Sequence, residues 1–307
     1  MALLDDVSIA TIAGEQRHEY LHGQISVSTK VFDSNTAKIA AHCDFKGKMF
    51  SAMVVSEYDN SFLLSMHKES ALESIAQLKK YGVFSKVDIA ISEKLHAIGI
   101  FGNSSVKSLK VLFPLLGDAH MQVANNEFGQ AICFNDISLR YLCYLSDKGM
   151  QRLLDISDKD QFETNKVWDL LEVAAGLANI QTPTLSQFVP QMLNFQSISA
   201  IDFDKGCYMG QEVVARTKFL GKNKRATFLL EGTGVAEGDA CAGQNIEVKI
   251  GDSWRRGGVV VRSALSEKNQ LHLLAVMPND TVLGTKVRLK DTNTELTVMP
   301  MPYEVTS

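Results

Sequence analysis

From residue 225 onward the chain is a succession of short apolar runs: "RATFLLEGTG", "NIEVKI", "RRGGVVVRSALS", "QLHLLAVM", "TKVRLK" and "ELTVMP". Gly, Asn and Asp separate them. Closely spaced short strands with turn residues between them predict a small barrel or sandwich. The residues before this stretch mix helical and strand patterns, so a boundary is expected near residue 222. The expected organisation is an α+β region over 1–222, built as two interleaved subdomains, and a β-barrel domain over 226–307.

Within the first region, "KMFSAMVVSEYDNSFLLSM" predicts a hairpin turning at Asp59 and Asn60. "HKESALESIAQLKKYG" has apolar residues at helical spacing. Its glutamates come early, its lysines late and Gly82 after them, the charge order of a helix. "SKVDIAISEKLHAIGIFG" predicts two strands, "SVKSLKVLFPLL" a helix ending at Pro114, and "EFGQAICFNDISLRYLCYLS" a second hairpin. "GMQRLLDI" and "TNKVWDLLEVAAGLA" predict further helices. The first 45 residues are expected as short strands, namely "SIATIAG", "HEYLHGQIS" and "TAKIAAHCD".

The chain has 307 residues, 45% hydrophobic and 21% charged, with a net charge of −4. That composition is ordinary for a globular protein and argues against direct nucleic-acid binding. The acidic start "MALLDDVSIA" lacks the basic flank and apolar core of a signal peptide, and no apolar run has the length of a membrane span. The expectation is a cytoplasmic protein. Its five cysteines, 43, 133, 143, 207 and 241, form no C-x-x-C pair, so neither a disulfide framework nor a metal site is expected.

The segment "DFDKGCYMGQE" sets Cys207 between Gly206 and Gly210. Glycines there allow positive φ and close approach of another body. A helix starting at or just after Cys207 would place the thiol at the positive end of a dipole, with Lys205 adding charge, and lower its pKa. The alternative is a small residue in a tight turn. Gln211 and Glu212 suit either helix capping or a ligand's amide edge. From Lys205 to Arg225 the chain also carries Arg216, Lys218, Lys222 and Lys224 against Glu212 alone, which reads as a solvated basic face or an anion site. Trp168 shares a helical stripe with Leu171 and Ala175; it is either core or a surface for stacking on a planar heterocycle.

The run "KGCYMGQE" resembles the K-G-C-Y-x-G-Q-E box of the YgfZ family, which binds folate and supports tRNA modification. "ATIAGEQRHEYLHGQIS", "AAHCDFKGKMFS", "KKYGVFSKVDIA" and "WRRGGVV" extend the resemblance over nearly the whole chain. It implies a fold like the aminomethyltransferase of glycine cleavage, the T-protein: a multi-domain ring around a central folate channel, ending in a small β-barrel. It implies tetrahydrofolate or another folate as cofactor, with Trp168 at its ring. Lys205, Gly206, Tyr208, Gly210, Gln211 and Glu212 are expected near the ligand, and Lys222 and Arg225 at its glutamate tail. Cys207 is expected as a reactive thiol. The family's other folate-site tryptophan corresponds to Val7 here, which removes part of the stacking surface.

The function so implied is an accessory role, supporting iron–sulfur enzymes and thereby tRNA thiolation, rather than fast catalysis. Two alternatives remain: a tetrahydrofolate-dependent aminomethyl transferase, and a tRNA-binding module. A transferase needs a placed acid or base, and the residues alone single out none. A tRNA-binding module needs a broad basic surface.

Overall fold

The computed structural model describes residues 1–157, 162–219, 221, 223–233, 240–292 and 294–306. Two five-stranded antiparallel sheets and a closed barrel meet around a central cavity. The chain begins with β1 (Ala2–Leu3), crosses over through residues 4–6 and continues as β2 (Val7–Ala13). The first sheet has the order β3 (Lys38–Cys43), β4 (Met49–Tyr58), β5 (Ser61–His67), β2, β6 (Asp88–Ile91). The second has the order β1, β7 (His96–Phe101), β10 (Leu139–Leu145), β9 (Gly129–Asn135), β8 (Val123–Asn126). β1 and β2 therefore lie in different sheets, and residues 4–6 stitch the two together at the cavity wall.

Local chemistry accounts for most elements. Asp59 and Asn60 both adopt positive φ, +46° and +56°, as a two-residue hairpin turn requires. α2 (Lys68–Gly82) buries Ala71, Ser74, Ile75 and Leu78, an i, i+3, i+4, i+7 stripe, against the first sheet. α3 (Asn103–Leu112) stops before Pro114, as its lack of a free N–H dictates. α4 (Asp147–Ile156) is capped by Ser146, whose hydroxyl accepts from the Gly149 N–H at 3.1 Å. α5 (Asn165–Ala174) packs against both β1 and the barrel.

One expectation here needs correction. "HEYLHGQIS" is not a strand: α1 occupies Arg17–His22 and buries Tyr20 and Leu21. Its alternating pattern misleads because six residues are too few to show a 3.6-residue period. The two strands expected in "SKVDIAISEKLHAIGIFG" are β6, which joins β2, and β7, which joins β10 in the other sheet.

The six runs after residue 225 form β11 (Arg225–Thr233), β12 (Asn245–Ile250), β13 (Ser253–Leu265), β14 (Gln270–Pro278), β15 (Lys286–Leu289) and β16 (Glu295–Met299). They close in the order β11-β14-β13-β12-β15-β16 around Leu230, Val260, Leu273 and Val298. Closure leaves no edge strand to aggregate. Among the described residues, no helix is long and apolar enough to cross a membrane.

Candidate functional site

A cavity of about 100 Å³ lies where the three units meet. Its wall includes Val7 from β2, His67 from β5, Phe134 from β9, Trp168 and Glu172 from α5, and Arg262 from β13, so both sheets and the barrel contribute. Trp168, 5% exposed, is held on several sides. Phe134 meets it edge-to-face at 6.4 Å, the Arg140 guanidinium stacks over it at 5.6 Å, and the Gly99 backbone lies against its ring. Val7 and Trp168, the two positions marked for stacking, belong to one apolar cluster and line the same cavity. A larger cavity of about 570 Å³ adjoins it, sharing Ile39, Leu177 and Ile198, and is also lined by Lys38, His120, Asp136 and Asp202.

The charged part of the inner wall is one network. Arg140 donates to Asp136 and, at 2.9 Å, to Glu172. Glu172 also accepts from Arg262 at 3.4 Å, and Arg262 donates to Asp169 at 2.7 Å and to the Leu177 carbonyl at 3.2 Å. Burial works against the Arg262 charge, but Asp169 and Glu172 outweigh it and hold its pKa above the usual value. A β-bulge explains how a charged residue enters this position. Val260 pairs with Ala275 and Arg262 with Leu274, leaving Val261 as the extra residue. Val260 points into the barrel core; simple alternation would send Arg262 there too, and the bulge turns it toward α5 instead.

Asp6, at the crossover between the sheets, is the fourth carboxylate of this region. Burial and then Asp169 push its pKa up, while His67 and Arg262 oppose. His67 caps α2: its Nδ1 accepts from the Glu69 N–H at 3.3 Å, which leaves the proton on Nε2, 3.9 Å from Asp6. Sequence reasoning missed Asp6, His67, Glu172 and Arg262. The available signal was Arg262, a charge inside the apolar run "GGVVVRSAL".

The box lies elsewhere: none of its residues lines the inner cavity. Its backbone docks on the loop after α1. The Lys205 ammonium donates to the carbonyls of His22, Ile25 and Val27 at 2.6, 2.6 and 2.9 Å and faces the Tyr208 ring at 4.7 Å. Burial pulls its pKa down to about 7. Three carbonyl acceptors oppose that, because only the ammonium has three protons to give. Met209 N–H donates to Gly23 at 3.1 Å. Gly210, at φ +84°, sits so close to Asp44 that a β-carbon would stand 2.5 Å from its carbonyl oxygen. Gly206 shows no positive φ. Tyr208 is buried, and burial raises its phenol.

α6 covers Gln211–Phe219, so Cys207 lies four residues before its first residue and outside the dipole's reach. Lys205 is directed to carbonyls, not to the thiol. Cys207 itself is exposed. Gln211 opens α6, and Glu212 pairs with Arg216 at 2.7 Å on its surface. Arg225 is exposed at the start of β11 and lines neither cavity; Lys222 lies outside the described residues. Among the described residues, no cluster of three metal-ligating side chains occurs.

Comparison with known proteins places this geometry. Residues 223–292 match the family model "YgfZ, beta-barrel domain". A protein from Klebsiella pneumoniae (strain 342) named tRNA-modifying protein YgfZ is 36% identical over 303 residues, covering 98% of this chain and 92% of its own. One of the same name from Escherichia coli O157:H7 (strain EC4115 / EHEC) is 34% identical over 303 residues, with the same coverage. The solved glycine cleavage system aminomethyltransferase T from Bartonella henselae superposes with a TM-score of 0.73 at 14% identity, covering 98% of this chain and 85% of that one. The fold is thus that of the T-protein, and the chain belongs to the YgfZ family.

Proposed function

We propose that this chain is a folate-binding accessory protein that supports iron–sulfur enzymes and, through them, tRNA modification. The observation that carries the reading is the inner cavity, with Trp168 pinned in its wall at the junction of all three units. The residues present fit a pterin: apolar walls at Val7, Ile39 and Leu177, a flat indole, and polar groups at Asp6 and His67 for a heterocycle's edge. Trp168 offers the ring face, and Phe134 and Arg140 hold it in place. The adjoining cavity, which Lys38 lines, has room for the rest of a folate and its tail.

The family's relatives bear the name tRNA-modifying protein, which is the ground for the tRNA part of the reading. Cys207, exposed on a loop clear of the cavity, suits transient contact with a client protein more than turnover of a ligand inside it. The transferase alternative has one observation in its favour, the partly buried Asp6 carboxylate in the cavity wall. Aminomethyl transfer in the presence of tetrahydrofolate and the lipoyl carrier protein would establish it.

The direct test is a tetrahydrofolate titration followed by tryptophan emission. The chain has two tryptophans, and Trp254 stacks under Arg288 on the barrel. Trp254→Phe leaves Trp168 as sole reporter. A saturable change in its emission is expected; none at millimolar ligand would overturn the reading.

A further inference from the structure

The inner cavity is lined by six polar or charged side chains: Asp6, Ser65, His67, Glu172, Asn179 and Arg262. Five are already engaged. The Ser65 hydroxyl accepts from Tyr144 at 2.6 Å. The Asn179 amide oxygen accepts from Gln181 at 3.2 Å. Both Glu172 oxygens face arginines, both terminal nitrogens of Arg262 are used, and His67 accepts at Nδ1. Asp6 differs. Among the described residues its nearest side-chain partner is His67 at 3.9 Å, beyond hydrogen-bond distance, and 22% of the Asp6 side chain remains accessible.

A carboxylate kept partly buried with so little compensation is unfavourable unless something else supplies donors. The crossover backbone leaves it little freedom to turn away. Its own carbonyl accepts from Lys68 at 2.7 Å, and Val7 N–H closes the turn onto Leu4 at 3.2 Å. The charges around it come from three elements: His67 at the end of β5, Asp169 and Glu172 on α5, and Arg262 on β13. With both arginine arms taken by Asp169 and Glu172, the Asp6 carboxylate has its own backbone N–H as donor and keeps acceptor capacity to spare toward the cavity.

We propose that Asp6 anchors the ring of the bound ligand by accepting two parallel N–H groups, and that the site therefore selects rings with a 2-amino-4-oxopyrimidine edge. This deepens the folate reading and rests on it. Such an edge presents an exocyclic amine and a ring N–H side by side, the spacing a carboxylate accepts in bidentate fashion. Trp168 supplies the face and Asp6 the edge. Face stacking tolerates any flat ring, whereas a paired edge discriminates. A ring without the 2-amino group leaves one carboxylate oxygen unpaired in a partly dry wall, which is where selectivity arises.

The experiment pairs a protein change with a ligand change. Tetrahydrofolate and its analogue with hydrogen in place of the 2-amino group are titrated into Trp254→Phe protein, with and without Asp6→Asn, and read by Trp168 emission. Asp6 intact should favour tetrahydrofolate over the analogue by roughly tenfold or more, the scale of one charge-assisted hydrogen bond. Asp6→Asn should lose at least about tenfold for tetrahydrofolate and bind the two ligands within roughly threefold of each other. Equal binding of the two ligands by protein with Asp6 intact overturns the proposal, and needs no variant to fold. So does undiminished tetrahydrofolate binding by Asp6→Asn; if Trp168→Ala still lowers affinity, the folate reading itself survives. Absence of binding of either ligand to protein with Asp6 intact removes both together.

Discussion

Gly99 and Trp168 touch: a β-carbon on Gly99 would stand 2.4 Å from Cε3 of the indole and 2.8 Å from Cδ2. Gly99 is central in the second sheet, paired with Ala2 on one side and Leu142 on the other, so the strand cannot retreat. The absent side chain makes the seat for the indole.

Gly99→Ala should therefore displace Trp168 without removing it. The expected cost is about 1–3 kcal/mol from overpacking, with a shifted Trp168 emission maximum in the Trp254→Phe background. Tetrahydrofolate affinity should fall in Gly99→Ala and in Trp168→Ala alike. An unchanged spectrum and unchanged urea midpoint in Gly99→Ala would show that the indole does not depend on this seat.

Lys205 should prove structural. Lys205→Met leaves the carbonyls of His22, Ile25 and Val27 without their donor, and each unpaired buried acceptor costs about 1–3 kcal/mol. Lys205→Arg should rescue poorly, because a planar fork does not match three acceptors around one nitrogen. Limited proteolysis should cut residues 203–210 faster in both variants. A Lys205→Met protein as stable as wild type would mean that water replaces the ammonium.

His42 sets a pH limit on stability. It is fully buried beneath Phe50 with Nδ1 2.8 Å from the Ser74 hydroxyl, and burial lowers its pKa from 6.5 to about 3. The folded state stays unprotonated there while the unfolded chain takes up a proton below about pH 6.5. Stability is thus lost as pH falls from 6.5 toward 3, with a limiting slope of about 1.4 kcal/mol per pH unit from this residue. His42→Gln should flatten the urea-derived stability profile between about pH 6 and 4 by one proton's worth. His22, His67 and His120, also lowered by burial, add to the slope in the same direction.

Alkylation in native buffer should divide the cysteines. Cys207 and Cys241 are exposed and should react first. Cys43, Cys133 and Cys143 are buried, and burial raises each thiol, Cys133 to about 11. They should be labelled only on unfolding, as read by mass spectrometry. Cys207→Ala should keep folate binding and fail to restore tRNA thiolation in cells lacking the native protein; full restoration would reduce Cys207 to a small residue in a turn.

The barrel was legible in the chain because its strands alternate locally and its turns are marked by Gly, Asn and Asp. α2 was legible because fifteen residues hold four turns of pattern. α1 was not, since its single buried face, Tyr20 and Leu21, imitates a strand. The box was visible as a motif, but its geometry was misjudged. The distance from Cys207 to the helix start and the docking of Lys205 on residues 22–27 depend on contacts about 180 positions apart. The polar cavity wall was invisible for the same reason. Asp6 is one of two adjacent aspartates in a turn, and only the crossover and the bulge at Val261 bring it near Arg262.

That long-range assembly has a consequence for biosynthesis. The wall takes Asp6 from just before β2 and Arg262 from β13, with His67 and Trp168 between them in the chain. A nascent chain can complete both sheets and still have no closed site, because β13 has yet to be translated. A chain cut short before residue 262 should emerge folded in part yet without the barrel's share of the wall.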